Sequence, residues 1–382
     1  LIINIFINMN RRNLMKMIPP GLLLPGQILS DFSWEHGFFN ESLRSSFQQQ
    51  KIAELFKKAI IIDGLVISRD WNEESFDALT KSGYTGFGTS LASGSLKSAL
   101  KSLTEWQKRI EINSDKLIFA KTADDFTRAK KENKVAILFG FQNATMIEKS
   151  IDNIDVLYQA GTRWIQLTYN QRNLLGDGCT ERTNAGLSDF GIEAVERMNE
   201  RGIIVDLSHC GHQTTNDGIR FSNTGPCFNH TMCESLYKKH PRSKTDKQIR
   251  AMANKGGIMG VICLGYMIGP SLGTKTTLET YVDHIDHAVK VGGIDHVGVA
   301  ADFAIQGLEK AGATRENWYI PRLTRFKPSY KVQWPPWIPE LDKAERYKYV
   351  AQILDKRGYS SGDIEKILGL NWLRYFKEVL SE

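Results

Sequence analysis

The stretch "GIIVDLSHCG" at 202–211 is an apolar run that ends abruptly in polar and imidazole side chains. A second stretch, "GPCFNHT" at 225–231, repeats the form and ends in Asn229 and His230. Near-continuous hydrophobicity is typical of parallel strands that are covered by helices. Two successive runs that end on histidine therefore predict neighbouring strands whose last side chains face a common site.

Apolar runs of this kind alternate with amphipathic stretches from residue 55 onward. The runs lie at 59–65, 83–90, 135–143, 164–170, 203–209, 226–231, 257–265 and 296–303. Helices are predicted between them at 94–111, 123–132, 151–160, 188–201, 212–222, 245–255 and 277–291. Eight strand-then-helix units predict an α/β fold, a TIM-type (β/α)8 barrel. A doubly wound open sheet is the alternative, but such a sheet would have fewer strands. It would also have a glycine-rich phosphate turn, and no GxGxxG or GxxxxGK[ST] motif follows any run.

Composition excludes several functional classes. The 382 residues are 41% hydrophobic and 24% charged, which suits a chain with a substantial core. The net charge of +6 is spread along the chain, and no basic and aromatic face predicts nucleic-acid binding. The five cysteines show no CxxC spacing and read as reduced thiols. No stretch predicts a stable membrane span.

The N-terminus is treated apart from the barrel. Arg11 and Arg12 in "MNRRNLMKMIPPGLLLPGQILS" resemble a twin-arginine export signal, although the apolar part is short and broken by prolines. We therefore divide the chain into a leader or N-terminal extension at 1–50 and a hydrolase barrel with C-terminal helices at 51–382. A functional leader would make the protein periplasmic or exported, and otherwise it would be cytoplasmic.

The carboxyl ends of barrel strands carry chemistry, so the residues that end the runs are the candidate site. They are Gln142, Asn143, Tyr169, Asn170, His209, His230 and Asp302. His209 and His230 are predicted zinc ligands, because imidazoles from adjacent strands are a common zinc arrangement. The alternative is two histidines hydrogen-bonded to loop backbone. Asp302 is predicted to be a metal ligand or a proton acceptor, and the alternative is that it only caps a helix or anchors a loop.

Several of these segments together resemble a known family. "AGTRWIQLTYNQRN", "GIIVDLSHCG", "FNHT", "HPRSKTDKQIRAMANKGGIMGV" and "IDHVGVAADF" are similar to the membrane (renal) dipeptidases, peptidase family M19, on an amidohydrolase-like barrel. The resemblance implies a metal-dependent hydrolase of small substrates such as dipeptides, and a homodimer. It also implies that His209 and His230 hold zinc, that Asp302 transfers protons and that Arg242 receives the substrate carboxylate.

The sequence departs from the family pattern where a second metal would bind. The strand-one motif Asp-Gly-His-x-Asp reads "DGLVI", with Leu65 and Ile67 in place of both ligands. The bridging glutamate is Gln142, and a further histidine is replaced by Tyr169. A neutral carboxamide is a poor bridge between two dications, so the sequence predicts a mononuclear centre.

These departures leave the substrate open. The pattern "GFQN…QLTYN…DLSH" resembles a branch that includes carbon–carbon bond hydrolases of aromatic ring-cleavage products. There Tyr169 could ligate the metal or donate a proton, or it could simply be a buried tyrosine. Gln142 and Asn170 are predicted to contact substrate beside Arg242. The alternatives to a dipeptidase-like zinc hydrolase are such a carbon–carbon hydrolase, or a non-catalytic descendant that binds a ligand.

Overall fold

Parallel strands form the one sheet of the computed structural model, which describes residues 48–68, 71–238 and 240–380. Along the chain they are β1 Ile62–Val66, β2 Gly86–Ser90, β3 Leu117–Ala120, β4 Val135–Phe141, β5 Trp164–Gln166, β6 Ile204–Asp206, β7 Cys227–Thr231, β8 Ile258–Ile262 and β9 Val297–Ala300.

Eight of these strands close into a barrel. β1 pairs with β2 and β9, β2 pairs with β4, and the ring continues in chain order from β4 to β9. The predicted TIM-type, amidohydrolase-like barrel is therefore confirmed, and each of the eight predicted runs overlaps one barrel strand. The extra strand, β3, pairs with the first half of β4, and β5 pairs with the end of β4. The apolar run that forms β3 was not predicted.

Helices follow most strands. They are α1 Glu73–Ser82, α2 Leu96–Ile112, α3 Ala123–Glu132, α4 Asp152–Gln159, α5 Asp189–Glu200, α6 His212–Phe221, α7 Asp246–Asn254, α8 Gly265–Ile268, α9 Leu278–Gly292, α10 Ile320–Arg325, α11 Arg346–Lys356, α12 Ser361–Glu365 and α13 Asn371–Val379. Residues 48–58 are also helical. Short π-helical turns precede α10 at Arg315–Tyr319 and α13 at Lys366–Leu370. All seven predicted helices are confirmed to within two residues at either end.

Two hydrophobic cores hold the barrel together. The larger one lies between the strands and the surrounding helices, and the smaller one contains strand residues such as Leu138 and Ile204 together with Trp372 of α13. Residues of α13 bond to the amino-terminal side of the strands, since the Tyr375 hydroxyl donates to the Gly225 carbonyl at 2.7 Å. α13 therefore covers the end of the barrel opposite the predicted site.

The remaining predictions concern the chain as a whole. Ile52–Glu382 form one compact unit, and the predicted leader lies outside the described residues apart from a few at its end. All five cysteines are free thiols, as predicted. Within the ranges that the structure describes, no helix is long and apolar enough to cross a membrane.

Candidate active site at the carboxyl ends of the strands

The two histidines that end successive strands meet at the barrel mouth. His230 is part of β7, and His209 follows β6 through a turn in which the Asp206 carboxylate accepts hydrogen bonds from the Ser208 N–H and hydroxyl. The same Asp206 oxygen accepts the N–H of Asn229 at 3.0 Å, which ties the two strands together. As a result, the Nε2 atoms of His209 and His230 lie 3.0 Å apart.

Each histidine has a carboxamide oxygen behind it. The Asn170 Oδ1 lies 2.7 Å from the Nδ1 of His209, and the Asn229 Oδ1 contacts the Nδ1 of His230. A carboxamide oxygen only accepts hydrogen bonds, so each Nδ1 carries the proton and each Nε2 presents a lone pair. Two lone pairs therefore converge on one point of the mouth.

The charge state of both rings follows from their surroundings. Burial, and after it the positive charge of Arg242, holds the pKa of His209 and of His230 well below the ordinary value for histidine. Both rings are therefore neutral near pH 7, which is the form that ligates a metal.

The other predicted strand-end residues surround this pair. The Nε2 of Gln142 lies 3.3 Å from the Nε2 of His230, and the ring of Tyr169 stacks on His209 with centroids 4.2 Å apart. Asp302 follows β9 with a left-handed φ of 62°, and its Oδ1 lies 4.0 Å from the His230 Nε2. Burial raises the pKa of Asp302 to about 7, against the opposing charges of Arg242 and Arg322.

Arg242 is fully buried and contacts the backbone of the two segments that carry His209 and His230. Its Nε donates to the Ser208 carbonyl at 2.8 Å, and its Nη2 donates to the His230 carbonyl. Its Nη1 lies 2.6 Å from the His209 Nε2 and 3.2 Å from the Tyr330 hydroxyl. Each nitrogen of the guanidinium is thus bonded to the protein.

The strand-one positions supply no ligands. Leu65 is fully buried in the apolar core, and Ile67 is half-buried beside it. Asp63, which begins the same motif, is a hydrogen-bond anchor: its carboxylate accepts the N–H groups of Leu65 and Ala301 at 2.9 Å and the Tyr347 hydroxyl at 2.6 Å. It therefore joins β1 to β9 and does not face the mouth as a ligand.

These residues fit one metal ion and do not fit two. Two neutral imidazoles with fixed tautomers converge, and the Asp302 carboxylate is nearby. In the described part of the chain, no three His, Cys, Asp or Glu side chains form a complete site by themselves. Water or substrate would complete the coordination of a single ion, and the positions of Leu65, Ile67 and Gln142 supply no carboxylate or imidazole for a second one.

Two neighbours of the site were not predicted from the sequence. Tyr330 receives a hydrogen bond from Arg242, and the guanidinium of Arg325 lies 5.5 Å from the ring centroid of Tyr169. Both belong to the segment between β9 and α11, in which no site residue was predicted after Asp302. Their approach depends on tertiary folding, and no strand-end pattern marks them.

The fold and the position of the histidine pair define the class of this protein, an amidohydrolase-like barrel with two imidazoles at the carboxyl ends of its strands. Residues 68–318 match the family model described as membrane dipeptidase (Peptidase family M19). The chain therefore belongs to the membrane dipeptidase family, M19, and the predicted family is confirmed.

Individual relatives agree with this assignment. The chain is 28% identical over 287 residues to dipeptidase verJ of Clonostachys rogersoniana, covering 75% of this chain and 66% of that protein. It is 26% identical to dipeptidase tcpJ of Claviceps purpurea over 299 residues, 78% of this chain and 63% of the relative. The chain thus spans less than two thirds of the length of these curated relatives.

A solved structure is similar over most of the chain. The crystal structure of an amidohydrolase from Pseudomonas aeruginosa has a TM-score of 0.77 and 30% sequence identity, and the match covers 87% of this chain and 99% of that one. The probable dipeptidase PvdM from the same organism, at 18% identity and a TM-score of 0.71, shares the fold.

Proposed function

We propose that this protein is a hydrolase that uses a single zinc ion on a small substrate carrying a carboxylate, a dipeptide by family resemblance. The observation that carries the proposal is the convergence of the His209 and His230 Nε2 atoms, 3.0 Å apart, with both Nδ1 atoms held by carboxamide oxygens. The Arg242 Nη1 lies 2.6 Å from the His209 Nε2 and the Gln142 Nε2 lies 3.3 Å from the His230 Nε2, and a metal ion would take the place of these donors on the two lone pairs. Zinc suits such nitrogen ligands.

The residues around the pair have separate tasks in this proposal. His209 and His230 would hold the ion, which supplies Lewis acidity that polarises a carbonyl and eases deprotonation of water. Asp302, whose pKa is raised to about 7 by burial, is suited to accept a proton near neutral pH and return it to the leaving group. Gln142 positions water or substrate through its amide, 3.3 Å from the His230 ring.

Tyr169 gives a reason to keep the carbon–carbon hydrolase as a second candidate. Its ring covers His209, and its hydroxyl has no hydrogen-bond partner among the described residues. Burial raises the pKa of this hydroxyl, so it stays protonated and able to donate to a developing carbanion or oxyanion. A substrate panel must therefore include vinylogous keto acids as well as dipeptides.

The test is the zinc content per chain, measured by elemental analysis of protein purified without chelator, together with turnover of that panel. We expect about one zinc in the unaltered protein and almost none in His209→Ala or His230→Ala. His212→Ala, which alters a histidine at the start of α6, is the matched control and should keep its zinc. Asp302→Asn should keep most of the zinc and lose turnover by about 100-fold or more.

Three outcomes would contradict the proposal. About two zinc ions per chain would mean that the positions of Leu65, Ile67 and Gln142 do not abolish a second site. No zinc, even after it is supplied, would favour the ligand-binding descendant. Substantial turnover in protein lacking both His209 and His230 would exclude the metal mechanism.

A further inference from the structure

The backbone at Asp302 is held in an uncommon conformation. Its φ of 62° is left-handed, and residues other than glycine keep such a conformation only where the surrounding contacts hold it. The Asp302 N–H donates to the Leu65 carbonyl at 2.8 Å. The N–H groups of Leu65 and Ala301 both donate to the Oδ1 of Asp63 at 2.9 Å. This one oxygen of Asp63 therefore fixes the residue before Asp302 and the residue that accepts its N–H.

The other oxygen of Asp63 binds two buried hydroxyl groups. Its Oδ2 accepts the Tyr84 hydroxyl at 2.8 Å and the Tyr347 hydroxyl at 2.6 Å. Two N–H and two O–H groups thus occupy the lone pairs of the carboxylate, and all four bonds form only when it is ionised. Burial raises the pKa of Asp63, and the bond from Tyr347 is the largest of the contacts that oppose this rise.

Arg346 supplies the opposite charge through Tyr84. It is fully buried, and its Nη1 donates to the Tyr84 oxygen at 2.6 Å, which leaves the Tyr84 proton for Asp63. Its Nη2 donates to the carbonyl of Ile305 at 2.7 Å, three residues after Asp302. A carboxylate in a protein interior needs such donors and a compensating charge. The network therefore reaches the backbone on both sides of Asp302.

We infer that Asp63 is the positioning residue for Asp302: together with the two tyrosines and Arg346, it holds the end of β9 in the conformation that brings the Asp302 carboxylate to the histidine pair. The inference rests on the proposed function, in that it takes Asp302 to transfer the proton. Asp63 acts through the backbone and contacts neither the substrate nor a metal ion. A catalytic group displaced by about 1 Å can slow a reaction by about 100-fold. Loosening the network should therefore lower kcat and leave substrate binding unchanged.

The test compares two variants that each lose one buried hydroxyl. Tyr347→Phe removes the 2.6 Å bond to Asp63. Tyr375→Phe is the matched control, because it removes a 2.7 Å bond to the Gly225 carbonyl at the opposite end of the barrel. Both tyrosines are fully buried, so both variants should lose similar stability to denaturant. In Tyr347→Phe, kcat for the best substrate of the panel should fall by about tenfold, with unchanged KM and zinc content. Tyr375→Phe should keep its kcat.

Hydrogen exchange of the full chain tests the same inference without a substrate. The amides of Ala301 and Asp302 donate to Asp63 and Leu65, so they exchange only when these bonds open. Mass spectrometry of peptides that contain 301–303 should show exchange about tenfold faster in Tyr347→Phe. The rate in Tyr375→Phe should stay that of the unaltered protein.

Lower kcat together with faster exchange at 301–303 would support the inference. It would be overturned if either quantity in Tyr347→Phe equals that in Tyr375→Phe, or if the loss of activity lies in KM or in zinc content. Tyr84→Phe removes the other hydroxyl and should give the same result, so the comparison does not depend on Tyr347→Phe folding. If no compound of the panel is turned over, the proposed hydrolysis fails, and the exchange rates alone decide whether Asp63 holds Asp302.

Discussion

Two asparagines decide which nitrogen of each site histidine faces the barrel mouth. The carboxamide oxygen of Asn170 contacts the Nδ1 atom of His209, and that of Asn229 contacts the Nδ1 atom of His230. In metal proteins, the partner of the non-ligating nitrogen fixes the tautomer and orientation of the ring. The asparagines therefore act on any bound ion through the histidines and need not touch it.

Asn229→Ala should weaken zinc binding by about 10- to 100-fold, because His230 loses the acceptor that fixes its tautomer. The affinity can be measured by competition with a chromophoric chelator. Asn113→Ala is the control, since the Asn113 side chain donates to the Arg109 carbonyl at the end of α2, away from the mouth. Equal zinc affinity in Asn229→Ala and the unaltered protein would show that the ring is oriented by other contacts.

The sequence could predict the residues whose place follows from their position in a strand. His209, His230 and Asp302 end apolar runs, and parallel strands bring such ends together. Arg325 and Tyr330 could not be predicted in this way. They lie in an irregular segment, where no periodicity relates chain position to direction, and only the folded segment brings them to the mouth.

At the scale of the elements, the close contact of β4 with β5 depends on a residue without a side chain. Gly140 is the register partner of Trp164, and a Cβ at position 140 would lie 2.2 Å from the indole ring. β4 leads directly into Gln142, so a shift of this contact would also move the mouth.

Gly140→Ala should lower the free energy of unfolding by about 1–3 kcal/mol, since the added methyl group overpacks the contact with Trp164. The midpoint of denaturant unfolding measures the change. Gly362→Ala in α12 is the control: the nearest atom to its added Cβ would be the Ser360 hydroxyl at 3.9 Å, so stability should be unchanged or slightly higher. Similar midpoints for both variants would mean that β4 and β5 can separate at little cost.

Sequence patterns predict some of these elements and not others. Most of the eight runs of the barrel were recognisable because they end in polar side chains, such as Asn143, Asn170 and His209. β3 has four residues, "LIFA", and pairs with only the first half of β4 outside the ring. A run this short fits a strand or a buried turn equally well, so its pairing was decided by tertiary contacts with β4. α1 was not predicted either, although its ends carry sequence signals, the N-cap Asn72 and the C-cap Gly83.

At the scale of the whole molecule, one buried carboxylate joins the two ends of the long segment between β9 and α11. Asp342 accepts the backbone N–H groups of Leu308 and Glu309, the latter at 3.0 Å, and so closes a large loop over the barrel. Burial raises the pKa of Asp342 to about 6, although these backbone bonds and Arg346 favour its charged form.

This pKa makes the stability of the molecule depend on pH. The folded state binds a proton to Asp342 more tightly than the unfolded chain, whose aspartate pKa is about 3.9. The free energy of unfolding should therefore fall by about 1–3 kcal/mol from this group as the pH rises from about 4 to about 6. Asp342→Asn should lack that decline, which denaturant unfolding of both proteins across this range would measure. Parallel pH profiles would refute the assignment.

The helix that covers the far end of the barrel also determines how molecules enter and leave. Trp372 of α13 packs where a Cβ on Gly64 or Gly298 would collide with its ring, and the indole is almost fully buried. In the part of the chain described by the structure, this end is closed, so entry and exit share the mouth. A product that lingers there excludes the next substrate molecule. Accumulating product should therefore slow the reaction by simple competition, with an unchanged maximal rate at saturating substrate.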